Sequence, residues 1–325
     1  MERLTCLLIP AEGDPTIVLP RLEESLARHE LGDLAEDLEI VAWDETDDPI
    51  RIVQQLVGGA LRVGVQDQMW ARFALRLRAA LDPAELVEAG PSMSALRAVK
   101  TPDEIARLRA AAEAADDAMR AIAAEPLTGR TEAAVSGRIR EHLLAAGHDE
   151  AGFAIVASGP NSASPHHTAG DRHIQPGDAI VLDIGGVRDG YCSDTSRTAF
   201  VGTPDPEFLA LYEVLHEAQR AACDAVRPGV PAAEIDAVAR AIITEAGYGD
   251  AFIHRTGHGI GLETHEEPYI VSSNPVPLVA GNAFSVEPGI YIRETWGARI
   301  EDIVICTESG GERLNTSTTE LLIVD

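Results

Sequence analysis

Residues 181–197 read VLDIGGVRDGYCSDTSR. Asp183 lies in an apolar run, Asp194 follows eleven residues later, and a short turn lies between them. A hairpin turning at VRDG sets Asp183 opposite Asp194 or within one residue of it, and facing residues have Cβ atoms about 5 Å apart. Two bare carboxylates there repel, and burial adds to the penalty. Either the pair is exposed, or one carboxyl keeps its proton, or a cation sits between them. Asp is a common turn residue, so an isolated pair at this spacing reads most simply as an exposed polar tip. VLDIGG is apolar on both sides of Asp183, which fits that reading poorly.

Further along, HRTGHGIGLETHEEP (254–268) holds His254, His258 and His265 among glycines. AFSVEPGIYI places Glu287 in one apolar strand, and ARIEDIVI places Glu301 in another. Each signal alone is weak, because a lone histidine is usually a packed one and a Glu before Pro often marks only a strand end. Together they make an oxygen-rich set with imidazole, which suits divalent Mn, Co, Fe or Zn. Two such ions bridged by carboxylates about 3.5–4 Å apart activate a water and clamp a tetrahedral transition state. The glycines of GHGIG let the backbone pack closely where His258 points inward.

The elements that must position these residues fall into two regions. Up to about residue 95, LTCLLIP, TIVLP, LEIVAW and LRVGVQD read as short strands. RLEESLARHE, DPIRIVQQLV and DQMWARFALRLRAAL alternate with them as helices. This is an α/β segment with no His/Asp/Glu cluster and no phosphate-loop pattern. Gly90–Lys100 reads as the junction, giving expected domains at 1–95 and 96–325. The helix TPDEIARLRAAAEAADDAMRAIAAE opens with a capping box, Thr101 and Glu104, and Pro102 in its first turn. Helices at 131–147, 206–226 and 231–247 follow, with the strand GFAIVASG and the opening hairpin between them, and the last eighty or so residues are strand-rich. Helices first and a mainly antiparallel sheet later is the α+β order. No short repeat stands out.

The bulk properties exclude more than they assign. The 325 residues are 45% hydrophobic and 24% charged with a net charge of −27, which argues against nucleic acid and against an anionic membrane surface. No apolar run reaches the length of a membrane span, and the first residues lack a signal peptide's apolar core, so the chain is read as cytoplasmic. Cys6, Cys192, Cys223 and Cys306 are scattered without a CxxC pair and read as buried free thiols. Lys100 is the only lysine.

The ordered set Asp183, Asp194, His258, Glu287 and Glu301, with SGPNSASPHH, GDAIVLDIGG, RTGHGIGLETHEEP, SVEPGIYI and GARIEDIV around it, resembles the "pita-bread" metallopeptidases. The resemblance spans at least residues 95–325 and is greatest to the Xaa-Pro dipeptidase (prolidase) and aminopeptidase P branch. It implies a pita-bread (creatinase/aminopeptidase) catalytic domain behind a smaller α/β domain of creatinase type. It implies two divalent ions, manganese first, with cobalt, zinc or iron as alternatives. Asp183 and Asp194 would hold one ion, with Asp194 bridging; His258 and Glu287 would hold the other, and Glu301 would bridge as well. A hydroxide between the ions would attack the scissile carbonyl, with Glu287 accepting a proton. His166 and His265 would hold substrate or donate to the oxyanion, and Arg299 would lie near substrate. His167 is the weaker alternative to His166, and His254 is read as supporting packing. The expected substrates are small peptides with proline at the second position, and a homodimer is implied.

Two features depart from the family pattern. The N-terminal domain reads as short by roughly forty to sixty residues against usual domain sizes, and a misassigned start or a trimmed variant is the expected reason. Tyr269 follows HEEP where some dipeptide-specific relatives carry a basic residue for the substrate's free carboxylate. Aminopeptidase action on longer Xaa-Pro peptides is therefore the alternative activity, and a non-catalytic or creatinase-like relative is the third reading.

Overall fold

In the computed structural model, which describes residues 3–325, the chain divides between Met93 and Ser94 into two units. In the first, β1 (Cys6–Leu8), β2 (Thr16–Pro20) and β3 (Glu39–Trp43) form one sheet, while β4 (Arg62–Val65) pairs in parallel with β5 (Glu85–Glu88). Helices α1 (Glu24–Leu31), α2 (Pro49–Val57) and α3 (Ala71–Ala80) alternate with them, and Val18, Trp43, Val53, Phe73 and Leu77 share the core. Asp48 caps α2 by accepting from the Ile50 amide, and Pro49 takes the first turn, where a missing N–H costs nothing. β5 escapes the sequence reading because glutamates at both ends leave only Leu86 and Val87 as its apolar centre. The expected junction at Gly90–Lys100 is itself largely helical, as α4 (Gly90–Ala98), and the division falls inside it.

The second unit begins with α5 (Pro102–Ala123), whose capping box is complete. Thr101 Oγ1 accepts from the Glu104 amide, and the Glu104 carboxylate accepts from the Thr101 amide at 2.8 Å. Then come α6 (Glu132–Ala145), β6 (Glu150–Ser158), β7 (Ala179–Arg188), β8 (Tyr191–Cys192) and β9 (Thr195–Val201). The same order recurs in α7 (Pro206–Ala225), α8 (Ala232–Glu245), β10 (Gly257–Gly259), β11 (Glu266–Ile270) and β12 (Ala283–Val286). The chain finishes with β13 (Gly289–Ile292), β14 (Trp296–Arg299), β15 (Asp302–Thr307), β16 (Gly310–Arg313) and β17 (Leu322–Val324).

One sheet has the order β17-β9-β7-β6 with β8 on β7, and the other β11-β10-β12-β15-β16. Every pairing in them is antiparallel except β17 with β9. The two helix–sheet halves share one local feature. Thr131 bridges His173 just before α6, and Pro231 bridges Pro277 just before α8.

Two apolar clusters hold the halves, one around Phe208, Phe284 and Ile300 and the other around Ile139, Val156 and Leu182. Buried polar groups fix the strands that carry the acidic residues. Arg197 is wholly buried and donates to Asp302 Oδ1 at 2.7 Å, to the Glu301 carbonyl at 2.6 Å and to the Thr318 carbonyl at 2.7 Å. Such a pair matters less for net stability than for the penalty of breaking it. Lys100 is equally enclosed. Its ammonium lies 2.6 Å from Glu266 Oε1, Arg97 takes the other oxygen, and burial lowers the Lys100 pKa. Cys192, Cys223 and Cys306 are buried free thiols as expected, whereas Cys6 is only half-buried. Among the described residues, no helix is long and apolar enough to cross a membrane.

Candidate metal centre

The opening hairpin closes on a two-residue loop. Arg188 pairs with Tyr191, and Asp189 and Gly190 between them have φ of 50° and 79°. That Asp-Gly pair is the standard sequence for a turn whose twist matches its strands. Beyond the turn, Asp183 pairs with Ser196 and Ile184 with Thr195, so Asp194 lies two positions out of register with Asp183. The expectation of facing aspartates, or of an offset of one, is corrected on this point. An offset of two keeps both side chains on one face of the sheet, as the period of a strand requires, and widens their separation to a diagonal of about 7–8 Å between backbones. Gly185 makes room beside Asp194, since a Cβ there would overlap the Ser193 carbonyl and the Phe153 ring.

The other sheet supplies the rest. His258 lies in β10 between two glycines, and a Cβ on Gly257 would overlap the Ser285 carbonyl oxygen. Only a glycine there lets β10 approach β12 closely. The His258 amide donates to Ser285 Oγ at 3.1 Å, and its Nδ1–H reaches the Gly259 carbonyl at 3.1 Å. That fixes the tautomer and aims the Nε2 lone pair at Glu287 Oε1, 3.3 Å away, and Asp194 Oδ2, 3.6 Å away. Glu287 follows β12, and Glu301 precedes β15. Ser196 Oγ donates to Glu301 Oε2 at 2.9 Å.

All five residues line one cavity of about 640 Å³. Asp194, His258 and Glu301 bring ligand atoms within 4.8 Å of one another. The residues fit a cation on three grounds. Burial, reinforced by Glu301, Asp183 and Glu287, holds the Asp194 carboxyl well above its usual range. Burial likewise raises Glu301, with Glu287 and Asp183 adding to the effect, and raises Glu287 to about 7. Burial, then His265, lowers His258 to about 3, so the imidazole is neutral and offers a lone pair. Finally, Asp183 Oδ1 and Glu301 Oε1 are buried without a hydrogen-bond partner, a costly condition unless something cationic meets them.

The surrounding candidates separate cleanly. His166 and His265 line the cavity, and the His265 ring meets the His258 ring edge-on with centroids 4.1 Å apart. His167 turns away and pairs with the buried Glu132 at 2.7 Å. Glu132 also accepts from the Ser158 amide and hydroxyl and from Asn161, and so pins the loop that presents His166. His254 lines the cavity with Nε2 2.9 Å from Tyr291 OH. Arg299 is 97% buried and spends four donors on protein: Asp183 Oδ2 at 2.6 Å, Ser196 Oγ, Tyr291 OH and the Pro165 carbonyl. It orients Asp183 and leaves at most one N–H for a substrate.

Tyr291, Arg255, Phe153 and Ile155 also belong to this neighbourhood and are absent from the sequence reading. Tyr291 carried a usable signal, since it lies four residues after Glu287 on the strand that pairs with Arg299's strand. The apolar wall of Phe153 and Ile155 carried none, because β6 reads as ordinary core.

Residues 106–308 match the family model for metallopeptidase family M24, and residues 1–99 that for the Creatinase/Prolidase N-terminal domain. The chain is 47% identical over 329 residues to a probable dipeptidase PepE of Mycobacterium tuberculosis, covering 99% of this chain and 86% of that protein. It is 35% identical over 316 residues to a Xaa-Pro dipeptidase of Pyrococcus furiosus, covering 97% and 88%. The crystal structure of dipeptidase PepE from Mycobacterium ulcerans superposes with a TM-score of 0.94 at 48% identity, over 100% of this chain and 87% of that one.

Proposed function

The chain belongs to metallopeptidase family M24, and from that premise we propose that it hydrolyses Xaa-Pro dipeptides with divalent metal ions. The observation that carries this reading is the single cavity in which Asp183, Asp194, Glu287 and Glu301 converge on a neutral His258. Asp183, Asp194, His258, Glu287 and Glu301 are proposed to hold two ions. The chemistry such ions supply is Lewis acidity directed at the scissile carbonyl and at a water. Manganese is the proposed metal, since a set of carboxylate oxygens with one imidazole suits it. We also propose that the enzyme acts in the cytoplasm, on the sequence reading above, and as a homodimer, on the resemblance already described.

The chain's own residues then divide the work. Arg299 holds Asp183 through Oδ2 and is itself held by Tyr291, which leaves Asp183 Oδ1 for an ion. Glu287 is the proposed proton acceptor, at its Oε atoms. His265 and His166 are proposed to donate an N–H each to oxygens of the substrate; burial, then the charge of Arg255, lowers the His265 pKa and keeps it neutral. Phe153, Ile155 and Pro165 offer an apolar wall suited to a proline ring.

A panel of Ala-Pro, Ala-Pro-Ala and a Met-initiated peptide, each with and without added Mn, tests the reading. Metal-dependent release of proline from Ala-Pro is expected. Cleavage of Ala-Pro-Ala in preference to Ala-Pro transfers the assignment to an aminopeptidase. No hydrolysis of any Xaa-Pro substrate by folded, metal-loaded protein overturns it.

A further inference from the structure

His265 lines the cavity from an exposed position, and no hydrogen bond of its ring is found among the described residues. An imidazole without a bond of its own takes its place from the backbone that carries it. That backbone is the turn at 261–265 between β10 and β11, and both ends of it are fixed. At the start, the Cys192 amide donates to the Gly261 carbonyl at 2.8 Å. At the end, Glu266 pairs with Gly259 of β10, and its side chain is 7% exposed. Two cations take its carboxylate, one on each oxygen: Lys100 on Oε1 at 2.6 Å, and Arg97, from α4, on Oε2 at 2.5 Å. Arg97 also donates to Glu263 Oε1 at 3.2 Å, so it grips the chain on both sides of His265. Gly261 leaves the room for this cluster, since a Cβ there would lie 2.5 Å from Glu266 Oε1 and 3.1 Å from Lys100 Cε. A buried ion pair adds little net stability over an apolar pair of similar volume. Stability is thus a poor reason for enclosing these charges one residue from a cavity histidine.

We propose that Lys100 and Arg97, acting through Glu266, are positioning residues that hold the His265 imidazole where it meets the substrate. The proposal rests on the part given to His265 in the Xaa-Pro reading above and deepens it. Lys100, Arg97 and Glu266 are not among the residues lining the cavity, so they act on it through the main chain from 263 to 266. Groups that act on a substrate must be held within about 0.5 Å of their productive geometry. A misplacement of about 1 Å can lower a rate on the order of 10²-fold. The ionic anchor supplies the restraint that the exposed ring lacks.

The test is a cycle of kcat/KM for Ala-Pro with Mn in wild type, Lys100→Met, His265→Gln and the double variant. Lys100→Met alone should lower kcat/KM by about tenfold or more. It should do so through the same parameter, kcat or KM, that His265→Gln changes. In the His265→Gln background the same substitution should lower kcat/KM by about twofold or less, because two residues serving one contact are not additive. A merely structural lysine would lower both backgrounds equally. Equal losses in the two backgrounds, or wild-type activity in Lys100→Met, overturns the proposal. An unchanged kcat/KM in His265→Gln overturns it as well, since nothing would then depend on where the ring lies. A readout free of turnover is the histidine ring resonances of the Zn-loaded protein. The His265 signal, identified by its absence in His265→Gln, should shift or broaden in Lys100→Met, and an unmoved signal counts against the anchor. If Lys100→Met does not fold, Arg97→Gln, at a side chain 27% exposed, takes its place in both measurements. Failure of wild type to cleave any Xaa-Pro substrate would count against the Xaa-Pro reading itself, while the ring resonances would still judge the anchor.

Discussion

His258 Nε2 and the oxygens of Asp194 and Glu287 face one another as lone pairs, unless a carboxyl keeps its proton. A metal-free chain therefore has to keep protons on its carboxyls, and pH controls how easily it does so. The Glu287 carboxyl is raised from its ordinary 4.5 to about 7, chiefly by burial. Below the ordinary value both folded and unfolded chains are protonated there; between the two values the folded chain holds the extra proton. Stability from this group is thus present at low pH and lost as pH rises through about 7. Melting curves of EDTA-treated protein between pH 5 and 8.5, run with and without Mn, should show a falling midpoint only in the metal-free series. A flat metal-free series would disprove the assignment of a buried, proton-holding cluster. Asp194→Ala should lower metal stoichiometry and cut kcat/KM by more than the roughly 10–100-fold typical of residues that merely support a ligand. Wild-type activity and full metal occupancy in that variant would remove Asp194 from the centre.

At the level of elements, the close approach of β10 to β12 is what places His258, and Gly257 permits it. Gly257→Ala should destabilise by about 1–3 kcal/mol and weaken metal binding, because the added methyl meets backbone and not a flexible side chain. Thr101→Ala should lower stability by about 1 kcal/mol through loss of the cap yet leave KM unchanged. Comparing the two by thermal melts and metal titration separates a strand that builds the site from a helix that only supports it.

Much of this was legible in the sequence. The α5 capping box and the Gly-flanked His258 are local patterns, and local patterns need no tertiary information. The exact offset of Asp183 and Asp194 was not legible, because strand register is set by the pairing of β7 with β9 across a short β8. The choice of His166 over His167 rested on the resemblance alone, because its physical reason was not legible. It depends on Glu132, which lies more than thirty residues earlier and is brought to the loop only by the fold.

For the whole molecule, the two halves divide the centre between them. Asp183 and Asp194 come from the sheet containing β7 and β9, and His258, Glu287 and Glu301 from or beside the sheet containing β10, β12 and β15. A metal pair held by all five would tie the halves together, and its binding energy would add to the folding stability of the second unit by mass action. Raising free Mn from equimolar to large excess should therefore raise the midpoint of thermal unfolding progressively. A midpoint independent of Mn would mean that the ions contribute no such tie.

The enclosure of Lys100 has a use in the laboratory. As the only lysine, it is also the only side-chain amine that an acylating reagent can find, and it is 1% exposed and paired with Glu266. Peptide mapping after exposure to such a reagent should show residue 100 untouched in the folded protein and acylated once the chain opens. The rate of its modification, followed with and without Mn, would then be a single-site clock for opening of the catalytic unit. Rapid acylation of Lys100 in fully folded, metal-loaded protein would show that the pair with Glu266 is not the closed contact described.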